Sequence, residues 1–502
     1  MTTPSPTTPS RRARRVLAAG SIAVALVAVA TLGQCGDEPA AAGGNGKVAP
    51  AAAPPPVVLG ERLRLIVTGS MLGRLEPCGC ADGQLGGLPR RLTYIQEVHG
   101  ADLLLEGGDL VSGDTPLDLE KAQTALNVLF GLHESTRYDA LGVGRNDLRL
   151  PLAEWGRILT ENQATVVAAD LECGDTPFKP RAFVEKEVRG TKVRVVSLTM
   201  RLPDLKGRLP DQKGDPLPLQ LLAPAAGWAR GLEGAADSTL RVLMVHDEPD
   251  RVRALARELK PRPDLAIGID DWYHEPPGSA ELAGGVPVVF PGIRGRFLVE
   301  VELGRTQDGS ALPRYEIVPL RASETKPNAG QDEAARAMLL THRAIVADAK
   351  LREAMARQLP TPNGQSYVGT KKCGECHKDD LATWQSSKHA LAWKTLDDAE
   401  KDPKRYGWPV TKYPDCVGCH VVGYRQQSGF VNDEETPDLK DVGCEQCHGP
   451  GSAHAKAPKT AKMGRVGDGA PSTVCAQCHD FEQSPTFDYT SRWAIIKHGK
   501  KL

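Results

Sequence analysis

Four C-x-x-C-H pentapeptides crowd the last quarter of the chain, at Cys373/Cys376/His377, Cys416/Cys419/His420, Cys444/Cys447/His448 and Cys475/Cys478/His479. Two thiols at this spacing can form thioethers to the two vinyl groups of one haem, and the adjoining histidine then sits where it can ligate the iron. Structural zinc is the rival, because a C-x-x-C pair is half of a zinc ribbon. Zinc does not require a histidine directly after the second cysteine, whereas this chain supplies one four times, so the spacing points to four c-type haems.

Such a cofactor load constrains everything after Tyr367. The stretch to Leu502 is too short to build an ordinary apolar core around each of four macrocycles, so the haems must themselves be much of the core. Short helices and long loops are expected there, with thioethers and iron bonds replacing side-chain burial. Seven histidines fall in the segment. His377, His420, His448 and His479 are proximal ligands by position, which leaves His389, His454 and His498 as distal candidates. Three candidates for four irons leave one short. Met463 could fill the gap, His342 or another side chain from upstream could close it, or one haem is five-coordinate.

Covalent haem attachment takes place outside the cytoplasm, and the N-terminus reads accordingly. Arg11, Arg12, Arg14 and Arg15 precede an uncharged apolar run from Val16 to Gly33, as in an export signal over residues 1–35. Cys35, after Leu32, Gly33 and Gln34, resembles a lipobox cysteine, although Gln34 departs from the small residue usual there. Lipidation at Cys35, ordinary cleavage and an uncleaved anchor all place the folded part in the periplasm or on the outer face of a bacterial membrane. Residues 36–59, rich in Ala, Pro and Gly, read as a tether that cannot bury a core. A formal net charge of −1 argues against a nucleic-acid partner. The partner expected is a redox protein of the cell envelope.

Residues 60–325 alternate short apolar strands with amphipathic helices, the pattern of an α/β layered domain. Strands are expected at Leu63–Thr68, Leu103–Glu106, Ala140–Val143, Thr165–Ala169, Val193–Leu198, Val242–His246, Leu265–Ile269, Val286–Phe290 and Phe297–Leu303. Helices fit between, as at Leu88–His99, Leu119–Leu132 and Glu248–Leu259. Residues 326–364 are a connector, with one helix expected over Asp332–Gln358 before Pro360, Pro362 and Gly364 end it. Residues 365–502 are the mostly α, loop-rich multihaem domain.

The segments CGECHKDDLATWQSSKHA, CVGCHVVGY and CEQCHGPGSAH, starting at Cys373, Cys416 and Cys444, resemble the tetrahaem cytochrome c family that works beside hydroxylamine oxidoreductase. In that family the first, third and fourth haems are bis-histidine and the second is five-coordinate. The resemblance implies His454 on the first haem, His389 on the third and His498 on the fourth. His420 is then left without a protein partner, in agreement with the histidine count.

The upstream stretches LIVTGSMLGRLEP, LLLEGGDL, YDALGVGRNDL, VLMVH and DLAIGIDDW resemble, in order and spacing, the 5′-nucleotidase and UshA-like branch of the metallophosphoesterases. That resemblance implies a metallophosphoesterase-like sandwich, but most of the family's ligands are missing. Ser70 and Leu72 stand at the first aspartate and histidine, Arg145 and Asn146 at the Asn-His pair, and Asp270 and Trp272 at the last two histidines. Only Asp109 and His246 match. A two-metal hydrolase needs a bridging carboxylate and several N or O ligands. Leu72 and Trp272 cannot coordinate, and Arg145 brings positive charge to a cation's place. The loop EPCGCADGQLGG replaces them with something else: Cys78 and Cys80 are flexible enough for a redox pair or a thiolate ligand, and the loop resembles that of multihaem-fused relatives described as selenoproteins. A structural disulfide involving Cys173 is the plainer alternative. A short glycine-rich run such as Gly83–Gly87 says little about phosphate binding on its own.

The function expected is an envelope-located multihaem c-type cytochrome that transfers electrons through four covalently bound haems. Reduction of a small molecule at the second haem or at the Cys78/Cys80 loop is the alternative, and a retained nucleotidase activity is a third, disfavoured by the lost ligands.

Overall fold

Alternation along the strands sets the layers of the first domain. Leu63, Leu65 and Val67 face one way and Ile66 the other, as successive side chains of a strand must. The computed structural model describes residues 62–499 apart from 78, 80, 82, 98–100, 205–218, 270, 304–313, 323–330, 403–407 and 464–470. The export segment, the tether, Cys35, Cys78, Cys80 and Asp270 therefore lie outside the described residues. In chain order the strands are β1 (Leu63–Thr68), β2 (Leu103–Glu106), β3 (Ala140–Gly142), β4 (Val166–Val167), β5 (Leu171–Glu172), β6 (Val184–Val188), β7 (Thr191–Leu198), β8 (Gln220–Leu221), β9 (Leu240–Val245), β10 (Leu265–Gly268), β11 (Glu281–Ala283), β12 (Val286–Val289), β13 (Phe297–Leu303) and β14 (Arg314–Pro319).

Six strands in the order β14-β13-β1-β2-β3-β4 form one sheet, six in the order β11-β12-β10-β9-β7-β6 form the other, and β5 pairs with β8. The sheets pack face to face through Leu65, Val67, Leu105, Val195, Val242, Ile267 and Val299, all buried. Helices Leu88–Glu97, Pro116–Leu126 and Leu152–Glu161 cover the outside of the first sheet, and Pro224–Gly231 and Pro249–Glu258 that of the second. This is the α/β layered sandwich expected of the region. The connections after β1, β2 and β3 emerge at the carboxyl ends of parallel strands, the usual place for a site in such a sheet.

The departures from expectation have local causes. β6, β11 and β14 lie at or next to sheet edges, and their charged, half-exposed sequences (VEKEV, ELA, RYEIVP) carry no apolar run to signal a strand. The helix expected from Leu119 begins at Pro116, because the Thr115 hydroxyl accepts from the Asp118 N–H while the Asp118 carboxylate accepts from the Thr115 N–H. Beyond Leu126 it widens into a π-turn over Asn127–Gly131. The connector is two helices, Glu333–Asp348 and Leu351–Met355, where one was expected; Lys350 takes a left-handed conformation at φ 51° and turns the chain between them.

That turn sets Val346 and Met355 against Leu117 of the α/β domain, with Tyr413 and Tyr424 of the haem-motif segment packed around them. After Met355 the described helices are short, and among the described residues no strand is found there beyond isolated bridges. One apolar cluster forms in this segment, from Trp393, Leu396, Val410, Val417, Val421, Val422, Phe430 and Leu439, around the second C-x-x-C-H motif. Among the described residues no helix is long and apolar enough to cross a membrane.

Deep in the sandwich, Arg91 and Glu106 form an ion pair at 2.8 Å, both essentially inaccessible to solvent, with the Thr68 hydroxyl donating to the same carboxylate at 2.7 Å. Removing one partner leaves an uncompensated buried charge. Glu106→Ala should lower the unfolding free energy by roughly 3–5 kcal/mol in denaturant titration, while Arg157→Ala, in a surface helical pair with Glu161, should cost less than about 1 kcal/mol.

Candidate functional site

Each C-x-x-C-H motif folds into a helical turn that brings its thiols and histidine close together. In the first and fourth motifs the His377 and His479 N–H groups donate to the Cys373 and Cys475 carbonyls at 3.0 and 2.8 Å; in the second, His420 N–H donates to the Val417 carbonyl at 2.9 Å; the third is the helix Cys444–His448. Helix geometry at this spacing needs no further constraint, because residues three and four apart share a face.

The thiols differ in depth: Cys376 is exposed, while the other seven thiols of the motifs, Cys373 among them, are half-buried. The cause is the way the first turn packs. Thr370 and Gly374 are buried, Gly374 beneath Leu381, and Cys373 adjoins Cys444, which leaves residues 375–379 on the solvent side. The Cys376 N–H still donates to the Cys373 carbonyl at 3.2 Å, so the turn itself is intact. Spacing decides which side chains are near one another, whereas packing against the rest of the chain decides how deep they lie.

Six of the seven histidines of the segment meet in pairs. The ring centroids of His377 and His454 lie 6.0 Å apart, those of His389 and His479 6.1 Å, and those of His448 and His498 5.8 Å. Two imidazoles bound on opposite sides of one first-row metal ion, at about 2 Å per nitrogen–metal bond, put their centroids roughly 6 Å apart. The donor set therefore fits haem iron. The pairing corrects two assignments implied by the resemblance: His389 faces His479 of the fourth motif and not the third, and His498 faces His448 of the third motif and not the fourth. The cause is the packing of the WQSSKHA segment, where the Trp384 indole donates to the Val442 carbonyl at 2.8 Å and the Val442 N–H donates to the His389 carbonyl at 3.2 Å. His454 faces His377 as the resemblance implied.

The orientation of these rings is also controlled. His420 Nδ1 bonds the Ala392 carbonyl at 2.6 Å, His454 Nδ1 that of Ala461 at 2.7 Å and His498 Nδ1 that of Ile496 at 2.9 Å. His377 Nδ1 faces the Asp380 carboxylate at 3.2 Å, and His479 Nδ1 the Ser484 hydroxyl at 2.8 Å. A carbonyl only accepts, so Nδ1 carries the proton in at least three of these rings and Nε2 keeps its lone pair for a metal. Burial lowers the pKa of His389, His420 and His479, and the neighbouring His479 lowers that of His389 further. A neutral imidazole is the form a metal requires.

His420 stands apart: among the described residues no histidine ring faces it. His342 does not close the position. Its Nδ1 lies 3.1 Å from the Thr124 hydroxyl and its Nε2 2.9 Å from the Tyr413 hydroxyl, so both nitrogens are engaged in joining the connector to the α/β domain and to the second motif. Met463 sets its sulfur against Gly451, at the start of the helix Ser452–Lys456 that carries His454.

The motifs are braced to one another. Glu445, inside the third C-x-x-C-H and buried, accepts from the backbone N–H groups of Val368 at 3.0 Å, Gly369 at 2.7 Å and Gly451 at 2.8 Å. The Thr370 hydroxyl accepts from Cys444 N–H at 3.2 Å, and the Cys373 thiol adjoins that of Cys444, as Cys419 adjoins Cys478. First and third motifs thus adjoin, and so do second and fourth. Sequence reasoning missed Glu445, and its position gave no signal, since Glu375 lies likewise between the thiols of the first motif and is exposed.

In the α/β domain the loops after the parallel strands of the first sheet are tied together through buried carboxylates. Asp147, fully enclosed, accepts from the N–H groups of Asp109, Leu110 and Gly144 at 2.7–3.0 Å, and Asp109 accepts from Asn146 N–H at 2.9 Å. Burial raises the pKa of both carboxyls, and the charge of Asp109 raises Asp147 further. His246 is buried, and among the described residues neither of its ring nitrogens has a partner at hydrogen-bond geometry; burial lowers its pKa to about 3. Arg145 pairs with Asp271 at 3.3 Å, Ser70 uses its carbonyl to accept from Arg294 N–H at 2.7 Å, and Trp272 is 62% exposed. Among the described residues no group of three or more His, Cys, Asp or Glu is placed to hold a metal ion. Cys173 is a buried free thiol whose pKa burial pushes up to about 11, which makes it inert at neutral pH.

Residues 372–449 match the family described as Cytochrome c554 and c-prime. The match implies covalently bound c-type haem in this part of the chain. Cytochrome c-554 of Nitrosomonas europaea is 39% identical over 94 residues, which cover 17% of this chain and 39% of that protein, so the chain spans about two fifths of the curated relative it matches. For the α/β domain, the 5′-nucleotidase precursor of Thermus thermophilus is similar at 18% identity and a TM-score of 0.46, covering 59% of this chain and 61% of its own. The calcineurin-like phosphoesterase YfkN of Bacillus subtilis is similar at 16% identity and a TM-score of 0.40, covering 57% of this chain and 97% of its own.

Two expectations test the ligand geometry. His389→Met and His479→Met should perturb the same low-spin haem, so that the double variant alters one haem signal in electron paramagnetic resonance; alteration of two would contradict the pairing. His342→Gln should leave the haem spectrum unchanged while lowering stability by about 1–3 kcal/mol, the penalty for unpairing buried hydrogen-bond partners.

Proposed function

We propose that the protein is a multihaem c-type cytochrome that carries electrons through four covalently attached haems, with three irons ligated by the pairs His377/His454, His389/His479 and His448/His498. The observation that carries this reading is the set of three imidazole pairs at about 6 Å beside a fourth motif histidine, His420, that no other histidine faces among the described residues. The haems, when bound, supply one-electron chemistry. The chain's own contribution is to hold His420, His454 and His498 in one tautomer, to fasten the first motif to the third through Glu445, and to enclose the second motif in apolar side chains. Paired histidines that would occupy both ligand positions of a bound haem iron favour electron transfer over chemistry at the metal.

A second reading is favoured by one feature. His420 has its Nδ1 pinned to Ala392 and faces no histidine among the described residues, so the second site is where a small molecule could reach a metal and be reduced. The α/β domain serves in either case as a platform that binds the cytochrome segment. We further propose an envelope location, with residues 1–35 as the export signal, anchoring through Cys35 or an uncleaved segment, and a redox protein of the envelope as partner.

Intact mass and haem staining should give four haems per chain; metal analysis that found zinc without covalent haem would sink the proposal. Carbon monoxide added to the reduced protein should shift the spectrum of one haem in four. A protein in which no haem responds would remove the second site as a place of reaction, and one in which several respond would contradict the histidine pairs.

A further inference from the structure

The fourth haem motif runs straight into the α/β domain. His479 is followed by Asp480, Phe481 and Glu482, and all three engage it. Nη1 of Arg294 contacts the Asp480 carboxylate at 2.8 Å and the Glu482 carboxylate at 2.6 Å, and Arg74 lies 3.6 Å from Glu482. Phe481 stacks on His274 with centroids 4.1 Å apart, under the guanidinium groups of Arg294 at 4.7 Å and Arg296 at 5.0 Å. Gln84 donates to the Glu482 carbonyl at 2.9 Å.

Arg294 is held for this task at a conformational cost. It adopts φ 61°, a left-handed conformation that an arginine rarely takes, between Gly292 and Gly295, which are also left-handed. Its own N–H is tied to the Ser70 carbonyl, at the end of the degenerate first motif. Glu482 is almost fully enclosed, with a side chain 3% exposed, so its charge is poorly screened and must be matched locally.

We propose that Arg294 is the residue through which the α/β domain sets the reduction potential of the haem attached at Cys475 and Cys478. Asp480 and Glu482 place two negative charges one and three residues from the axial His479. Negative charge near the iron favours its oxidised state, and Arg294 offsets that charge from the other domain. This inference rests on the electron-transfer reading above and adds to it: the α/β module is a fixed electrostatic partner of one haem in four, and docking raises that haem's potential.

The test is a spectroelectrochemical titration of the full-length holoprotein. In Arg294→Gln one haem midpoint should move to lower potential while the other three stay in place, and Arg294→Lys should restore most of the shift. Glu482→Gln should move the same midpoint upward, which gives a second reading should Arg294→Gln fold poorly. Unchanged midpoints in both Arg294→Gln and Glu482→Gln, or an equal shift of all four haems, would overturn the proposal. A wild-type protein with no redox-active covalent haem would instead overturn the electron-transfer reading on which it stands.

Discussion

The structure depends on the distance between two imidazole rings. Centroids near 6 Å match two imidazoles that would share one metal ion, and three pairs reach this spacing in a segment with one apolar cluster among the described residues. Each pair joins residues distant in sequence, so shared ligation would constrain the chain where burial does not. The backbone carbonyls of Ala392, Ala461 and Ile496 hold the protons of His420, His454 and His498 on Nδ1 and leave Nε2 its lone pair. Short helices suffice under these conditions because none has to form an extensive interface.

The α/β domain obeys the opposite rule. Its layers come from strand alternation and helical stripes, and its stability from burial on both faces of two sheets. The cleft at the carboxyl ends of β1, β2 and β3 keeps buried carboxylates in Asp109 and Asp147, but they now accept hydrogen bonds from the loops themselves. These carboxylates tie the loops together, and the Ser70–Arg294 contact extends the same loops toward the segment of the C-x-x-C-H motifs.

Much of this could be read in the chain, for identifiable reasons. C-x-x-C-H spacing is a local property, and so was the count of histidines that left one motif short of a partner, which the resemblance placed at His420. Central strands such as Leu63–Thr68 and Phe297–Leu303 announced themselves because both faces are buried. Which distal histidine serves which motif was not legible, because His389 and His498 lie on loops whose paths are decided by contacts such as Trp384 with Val442. Nor was the exposure of Cys376, since all four motifs share one local pattern and differ only in what packs against them. The edge strand Val184–Val188 was hidden by its charges, and the break at Lys350 by continuous helix-forming residues on either side. Arg294 gave no signal, since its meaning comes from residues nearly two hundred positions away.

The small cluster of Leu117, Val346 and Met355 with Tyr413 and Tyr424 has a mechanical meaning. It joins sandwich, connector and the segment of the C-x-x-C-H motifs at one point, and the clasp around Phe481 joins sandwich and motif segment at a second. A body held at two points cannot pivot freely about either. The motifs are therefore carried as a fixed extension of the sandwich and not as a swinging arm.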